Sequence, residues 1–470
     1  MNRTLFAVAL TAGNVLFFWG GPAGANDWEG LSIGVGGGYG MANTKSSLSP
    51  PELGDIFNIT TNGEPSADGF FTLSAGYDRA VLDKLIIGGF VDYDFADINS
   101  RSTGSFFIPE SGSFNIGNQL SLGGRLGYLV APTTLFFSTF GYAHVEASDA
   151  TMDLGFDKAR GNLDSFNGYF VGGGVETLIG GGFSVKAEYR YTSLQSQSTD
   201  LRPDSDPSVA VVTTSIKPQI QTARVSLNYR FGNSEQGHAD NSTPPVTSSW
   251  SGAYIGIGGG YGIADNKIGA AEEEVDSEAG HFGSDGGIIS FTLGYDRQIA
   301  PKFVVGAFAD ADYTNLHYRS SINVDAGDSF NETIRNNFRN ILMVGARIGY
   351  LAAPDTLLFV SAGYANAGLG DTNIAASINN DLVDSATIEG RRFSGGFAGG
   401  GVETRINNSL SLKAEYRYAD FGSEQASATS TTIPDAEFLR TKFDPAIQMG
   451  RVSMNYRFGS PLEEAAPPLK

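Results

Sequence analysis

The stretch "WEGLSIGVGGGYG" (Trp28–Gly40) returns almost unchanged as "WSGAYIGIGGGYG" (Trp250–Gly262), and the reading of its glycines decides the fold. A phosphate-cradling loop is the first candidate, because backbone N–H groups approach an anion only where no side chain intervenes. The spacing excludes it. Read as G-x-G-x-x-G from Gly34 or Gly36, the third glycine falls on Tyr39 or Met41, and no Lys-Ser pair follows. The alternation is instead period 2: Ser32, Gly34, Gly36, Gly38 and Gly40 share one face of a strand, and Leu31, Ile33, Val35 and Tyr39 share the other.

The repeat extends along the chain. "GYDRAV" at Gly76 matches "GYDRQI" at Gly294, "GGRLGYLVAP" at Gly123 matches "GARIGYLAAP" at Gly345, and "GGGVET" occurs at Gly172 and Gly399. "KAEYRY" appears at Lys186 and Lys413, and "NYRFG" at Asn228 and Asn455. This is an internal duplication. It sets the expected domains: a signal peptide over 1–25, one barrel over 26–232, a polar linker over 233–249, a second barrel over 250–459 and a Pro-containing tail over 460–470. The leader carries Arg3, an apolar core and the small-residue site "AGA", which predicts cleavage between Ala25 and Asn26.

The chain has 470 residues, with 62 glycines, 32 phenylalanines, 19 tyrosines and no cysteine. An exported chain without cysteine has no disulfide framework. A formal net charge of −20 excludes nucleic acid as a partner, since phosphate binding needs clustered Lys and Arg. Beyond the leader, no apolar run of about 18 residues suggests a membrane helix.

Within each copy, apolar and polar residues alternate over eight segments, which in the first begin near Trp28, Phe70, Lys84, Gln119, Thr134, Ser165, Phe183 and Gln219. Tight turns ("VLDK", "VAPTT", "IGGG") alternate with long polar connections such as 41–69 and 195–218. An even strand count with short turns on one side and long loops on the other predicts an all-β protein of two tandem eight-stranded antiparallel up-and-down transmembrane β-barrels. The alternative is one sixteen-stranded barrel.

The apolar rows then face lipid and the ionic rows the lumen, because an Arg on the lipid face near the midplane costs about 2–4 kcal/mol. Interior charges must pair. The expected lumen ion pairs draw on Asp92, Asp94, Arg125, Glu176, Lys186, Glu188, Arg190 and Arg224, repeated as Asp310, Asp312, Arg347, Glu403, Lys413, Glu415, Arg417 and Arg451. Glycine rows at Gly34, Gly36, Gly38, Gly172, Gly174, Gly256, Gly258 and Gly260 are expected to make room for charged side chains reaching from the opposite wall. Tyr128, Tyr191, Tyr229 and Phe231 suit aromatic girdles at the membrane interfaces.

The ordered motifs "W-x-G-x-Y/L-x-G-x-x-G-G-Y-G", "R-x-G-Y", "E-Y-R-Y" and "N-Y-R-F" resemble the small outer-membrane β-barrel proteins of alphaproteobacteria, a porin-family and opacity-like group related in fold to the OmpA membrane domain, here as a tandem duplication. The resemblance implies an outer-membrane location in a Gram-negative bacterium, long loops extracellular and termini periplasmic. It also implies contact with lipid and lipopolysaccharide, and insertion by the barrel-assembly machinery through the strand-terminal aromatics Phe231 and Phe458. Two features depart from it: the family usually carries one barrel, and "GSPLEEAAPPLK" follows Phe458.

The leading role is structural, with narrow ion-paired lumens stabilising the envelope and acidic loops such as "AAEEEVDSEAG" (Ala270–Gly280) displayed outside. The alternatives are porin-type passage of small solutes and a surface adhesin or ligand-binding role, haem included, through the loops. The carboxylate run lacks calcium-loop spacing, so neither metal nor cofactor is expected. Catalysis is not expected either: His144, His238, His281 and His317 recur at no equivalent position in the other copy, and no Ser–acid pair accompanies them.

Overall fold

The computed structural model describes residues 26–51, 57–103, 111–153, 157–231, 249–272, 275–325, 328–379, 381–430 and 437–458. The leader expected over 1–25, nearly all of the linker and the tail lie outside the described residues.

The first half runs through β1 (Gly30–Ser49), β2 (Phe57–Leu82), β3 (Leu85–Phe95), β4 (Ile98–Thr103), β5 (Ser111–Ala131), β6 (Thr134–Ala147), β7 (Ala150–Asp153), β8 (Lys158–Gly161), β9 (Phe166–Gly180), β10 (Phe183–Leu194), β11 (Gln197–Pro203) and β12 (Val212–Arg230). The second repeats it as β13 (Gly252–Glu272), β14 (Val275–Ala300), β15 (Phe303–Thr314), β16 (His317–Asp325), β17 (Ser329–Ala353), β18 (Thr356–Leu369), β19 (Thr372–Ile378), β20 (Asp381–Ile388), β21 (Arg392–Arg405), β22 (Leu410–Phe421), β23 (Glu424–Ser430) and β24 (Glu437–Arg457).

Eight long strands in each half pair antiparallel in meander order, and the last returns to the first. In the first half β12 closes on β1, with Ser32 opposite Arg230 and Gly38 opposite Arg224. In the second β24 closes on β13, with Tyr254 opposite Arg457 and Gly260 opposite Arg451. Two rings of eight therefore form, and a single ring of sixteen is excluded. The outward rows carry Leu31, Ile33, Val35, Leu122, Leu126 and Tyr128, all exposed, while Asp92, Asp94, Arg125 and Arg190 are buried inside.

The strands correct the sequence reading at one end. β2 begins at Phe57 rather than near Phe70, β5 at Ser111 rather than near Gln119, and β12 at Val212 rather than near Gln219. Stretches read as loops are strand extensions, joined by β4, β7, β8 and β11. The ladder of backbone hydrogen bonds continues where the apolar face does not, so the lipid-facing pattern stops before the strand does. Residues 270–280 likewise belong largely to the ends of β13 and β14. At the opposite end the turns are tight. Gly180, Gly181 and Gly182 have φ of 101°, 61° and 79°, a conformation that side chains resist, which is why "IGGG" closes the β9–β10 hairpin.

Candidate functional site: two charge-filled lumens

Each lumen is layered. At the tight-turn end of the first barrel, Trp28, Ile86, Leu129 and Leu135 form a small apolar cluster. Trp28 is held there by its indole N–H, which donates to the Pro132 carbonyl at 3.1 Å. At the long-loop end a larger cluster includes Ala42, Ile98, Phe114, Ile116, Val145, Phe166 and Ile220. The charged side chains lie between these two apolar layers.

The charges form two groups. Nearer the turns, the Arg125 guanidinium grips Asp78, donating from Nε to Oδ1 at 3.1 Å, and also closely contacts Glu176. Arg230 completes this group, with Nη1 2.9 Å from Asp78 Oδ2 and 2.8 Å from the Trp28 carbonyl. Deeper in, Arg190 Nη2 donates to Asp92 at 2.7 Å and Glu188 at 2.9 Å, and Arg224 makes a forked contact with Asp94 at 3.1 and 3.0 Å. The Arg190 guanidinium lies over the Phe170 ring, 4.3 Å from its centroid, so the faces that make no hydrogen bonds are also covered.

The second lumen repeats this arrangement. Arg347 bridges Asp296 (2.9 and 2.6 Å) and Glu403 (2.7 Å), and Arg457 reaches Asp296 at 2.7 Å. Arg451 contacts Asp312 at 2.6 Å and Asp310 and Glu415 at 2.9 Å, and Arg417 pairs with Glu415 at 2.8 Å. Lys413 sits 2.7 Å from Glu415, whereas its counterpart Lys186 stands 3.8 Å from Glu188. Each of the two networks thus joins five acids to five bases, so that ionic attraction offsets desolvation, and the second lumen adds a buried Arg405 over the Trp250 ring at its turn end.

All sixteen charged residues expected in the lumens lie in these two networks. Four more were missed: Asp78, Arg230, Asp296 and Arg457, which anchor the turn-side group. The signal was available, since Asp78 follows Ser74 and Gly76 on an inward row and Arg230 follows Asn228 on another.

The glycine rows need a correction. Their space is taken mainly from adjacent strands and by aromatic rings, not by charges from the opposite wall. A β-carbon at Gly34 would lie 2.0 Å from Asn228 Oδ1, at Gly36 2.6 Å from Ser226 Cβ, and at Gly38 2.6 Å from the Phe70 ring. Gly172 is pressed by Thr139 and Gly174 by the Phe137 ring. In the second barrel, Gly256 meets Asn455, Gly258 meets Ser453, and Gly260 lies under the backbone and stem of Arg451. The tight curvature of an eight-stranded ring brings neighbouring inward β-carbons together, so glycine is needed beside each large inward residue.

Phe231 and Phe458 end their last strands facing outward, each edge-on to the preceding tyrosine, with ring centroids 5.1 and 5.0 Å apart. Tyr191, expected in a girdle, instead packs against Tyr261 of the other barrel at 6.4 Å. His144 and Tyr142 share the Asn167 side chain as partner. No group of three or more metal-binding side chains occurs among the described residues.

Residues 8–231 and 239–458 each match the outer membrane protein β-barrel domain. The chain belongs to that family. One barrel's worth of this family member, 47% of the chain, aligns at 29% identity with 88% of the 31 kDa outer-membrane immunogenic protein of Brucella melitensis. A 22 kDa outer membrane protein of Rhizobium leguminosarum is 39% identical over 17% of this chain and 35% of its own length. Among solved structures, the toluene transporter TodX of Pseudomonas putida covers 91% of this chain and 90% of its own at 11% identity and a TM-score of 0.28. Ail of Yersinia pestis covers 44% and 99% at 13% identity and a TM-score of 0.21; neither score bears on this barrel's role. This outer membrane β-barrel protein is a tandem duplication, located in the outer membrane of a Gram-negative bacterium.

Proposed function

We propose that the protein anchors a display surface in the outer membrane and stabilises the envelope without conducting solutes. The observation that carries this reading is the closure of each lumen at both ends by apolar side chains, with a hydrogen-bonded network of paired charges between. In the second barrel, Trp250, Val304, Leu351, Leu357 and Phe359 form the turn-end layer, and a cluster containing Phe338, Ile341, Phe393 and Ile447 forms the other. A diffusion pore needs a continuous aqueous path, which such layers deny.

In this reading the long-loop end faces outward among lipopolysaccharide and the termini face the periplasm, and the barrel-assembly machinery recognises Phe231 or Phe458. The strand extensions raise the surface above the bilayer, and "AAEEEVDSEAG" lies at its edge. The test is planar-bilayer recording of the purified full chain. Absence of unitary steps across 50-fold protein concentrations supports a sealed anchor, whereas steady porin-like steps that persist after repurification reject it. Membrane-impermeant maleimide on Asp206→Cys in intact cells tests the orientation, since labelling is expected only if this loop is outside.

A further inference from the structure

Outward rows of a membrane barrel meet lipid, so they stay exposed in the protein alone, as Tyr169 does at 62%. On the same row of β9, however, Val175 and Thr177 are only 1% exposed, and their equivalents Val402 and Thr404 on β21 are equally buried. The stripe climbs across the tilted strands through Gln221 and Met41 on one barrel and Gln448 and Ile263 on the other, all buried. Each stripe is covered by the other.

The contacts are related by an approximate two-fold axis. At the turn end Thr134 Oγ1 lies 3.0 Å from Thr356 Oγ1, and these are the same residue of the repeated turn. Midway, the Tyr189 ring occupies the recess of Gly450, where a β-carbon would stand 2.5 Å from it. Above this, Asn43 Nδ2 donates to Asp285 Oδ1 at 2.8 Å, and β2 pairs with β16 from Phe57 opposite Val324 to Asn62 opposite Arg319. Contact between equivalent residues is what an isologous, self-complementary interface produces.

The chemistry fits protein rather than lipid. A glutamine amide is costly on a hydrocarbon-facing row, because any donor or acceptor that its own barrel leaves unpaired finds no water there. Within each barrel the Tyr189 hydroxyl donates to Gln221 Oε1 and the Tyr416 hydroxyl to Gln448 Oε1, and both glutamines are buried beneath the other barrel instead of facing hydrocarbon. Small residues at the crossing and polar pairs beside them are the means by which membrane segments associate when apolar burial gives no advantage over lipid.

We infer that the two barrels associate in the bilayer through this seam as a pseudo-two-fold pair that does not depend on the covalent linker. The surface centred on Tyr189 and Gln221 therefore recognises a second copy of its own barrel face.

The test uses the full chain with a protease site placed in the linker, assembled in outer membranes. Thr134→Cys with Thr356→Cys introduces the only thiols, since the chain has no cysteine. Hydroxyls 3.0 Å apart place such a pair within disulfide reach. After oxidation and cleavage, the halves are expected to run as one species on a denaturing gel until reduced. A control pair on exposed outward rows away from the seam, Leu122→Cys with Val344→Cys, should release them. Without added cysteines, cleaved halves should copurify in mild detergent through a tag on one. Gly450→Leu should abolish this by displacing Tyr189, while each half keeps its heat-modifiable mobility. Halves that part on cleavage and form no disulfide, with both barrels still heat-modifiable, overturn the inference.

Discussion

Tyr254 fills in the second lumen the place that Ser32 leaves open in the first. Both residues stand opposite the closing-strand arginine, Arg457 and Arg230 respectively. The Tyr254 ring lies against Gly294 and under the guanidinium groups of Arg347 and Arg457, 4.9 and 5.1 Å from its centroid. The first barrel instead keeps a polar cavity of about 30 Å³, bordered by Ser32, Gly76, Asp92, Lys186 and Glu188. That is room for one water molecule with several polar partners. The looser Lys186–Glu188 pair borders the same cavity.

Exchange of these residues should act unequally. Tyr254→Ser removes a buried ring and uncovers two arginines, at a cost of about 3 kcal/mol. Ser32→Tyr adds a ring beside Gly76 where the cavity has room for one water, and should cost about 1–2 kcal/mol by overpacking. The check is the urea midpoint for loss of heat-modifiable mobility in the full chain. Equal shifts for the two substitutions would show that the lumens are not packed differently.

Arg125 is the shared partner of two acids, so its removal should be more damaging than its single charge suggests. Arg125→Ala leaves Asp78 and Glu176 with only Arg230 between them, and breaking such a buried network costs about 3–5 kcal/mol. Arg125→Ala combined with Asp78→Asn should recover part of that loss, because one uncompensated charge goes with it. A double-mutant cycle on unfolding midpoints measures the coupling. Additive effects would mean that the two groups do not act together.

The duplication, the barrel class and the inward charges were legible because lipid on one face and a narrow lumen on the other force a strict period of two, as Leu122 and Leu126 against Arg125 illustrate. Asp78 and Arg230 obey the same period, but they lie at the turn ends of their strands, in "GYDRAV" and "NYRFG", and were not among the expected pairs. The strand extensions were not legible, since from Ser47 to Ser49 and Phe57 to Thr61 both faces are mixed and backbone pairing alone sustains the strand. Nor was the seam. Tyr189 and Tyr191 look like any lipid-facing aromatics, and only the neighbouring Gln221, out of place on an apolar row, hints at a protein partner.

Asp355 gives the turn end a pH dependence. Burial raises its carboxyl above the usual range, although its own backbone N–H, Thr356 and Thr133 of the other barrel partly oppose the shift. A raised folded-state value means that the stabilising contribution is present below the ordinary carboxylate range and lost as pH rises through the folded value. Asp355→Asn should therefore raise stability at neutral pH and flatten the profile over that window, while leaving acid stability little changed. Unfolding midpoints at pH 3.5, 5 and 7 for both chains test this. A larger gain at acid pH than at neutral pH would reverse the sign and reject it.

Neighbouring glycines on one strand provide the sharpest test of the crowding account. Gly174 faces the lumen, where a β-carbon would stand 2.1 Å from the Ala187 carbonyl oxygen and 2.8 Å from the Phe137 ring. Gly173 faces outward, and its nearest neighbour would be the Phe137 carbonyl oxygen at 3.3 Å. Neither has the positive φ that would penalise alanine on backbone grounds. Gly174→Ala should therefore cost about 1–3 kcal/mol by overpacking. Gly173→Ala should stay within about 1 kcal/mol, with reduced freedom of the unfolded chain offsetting the small adjustment. The second barrel offers an independent copy, since a β-carbon at Gly401 would lie 2.3 Å from the Ala414 carbonyl oxygen and one at Gly400 3.2 Å from that of Phe359. If the outward and inward alanines shift the unfolding midpoint equally in both barrels, ring curvature is not what requires glycine on the lumen face.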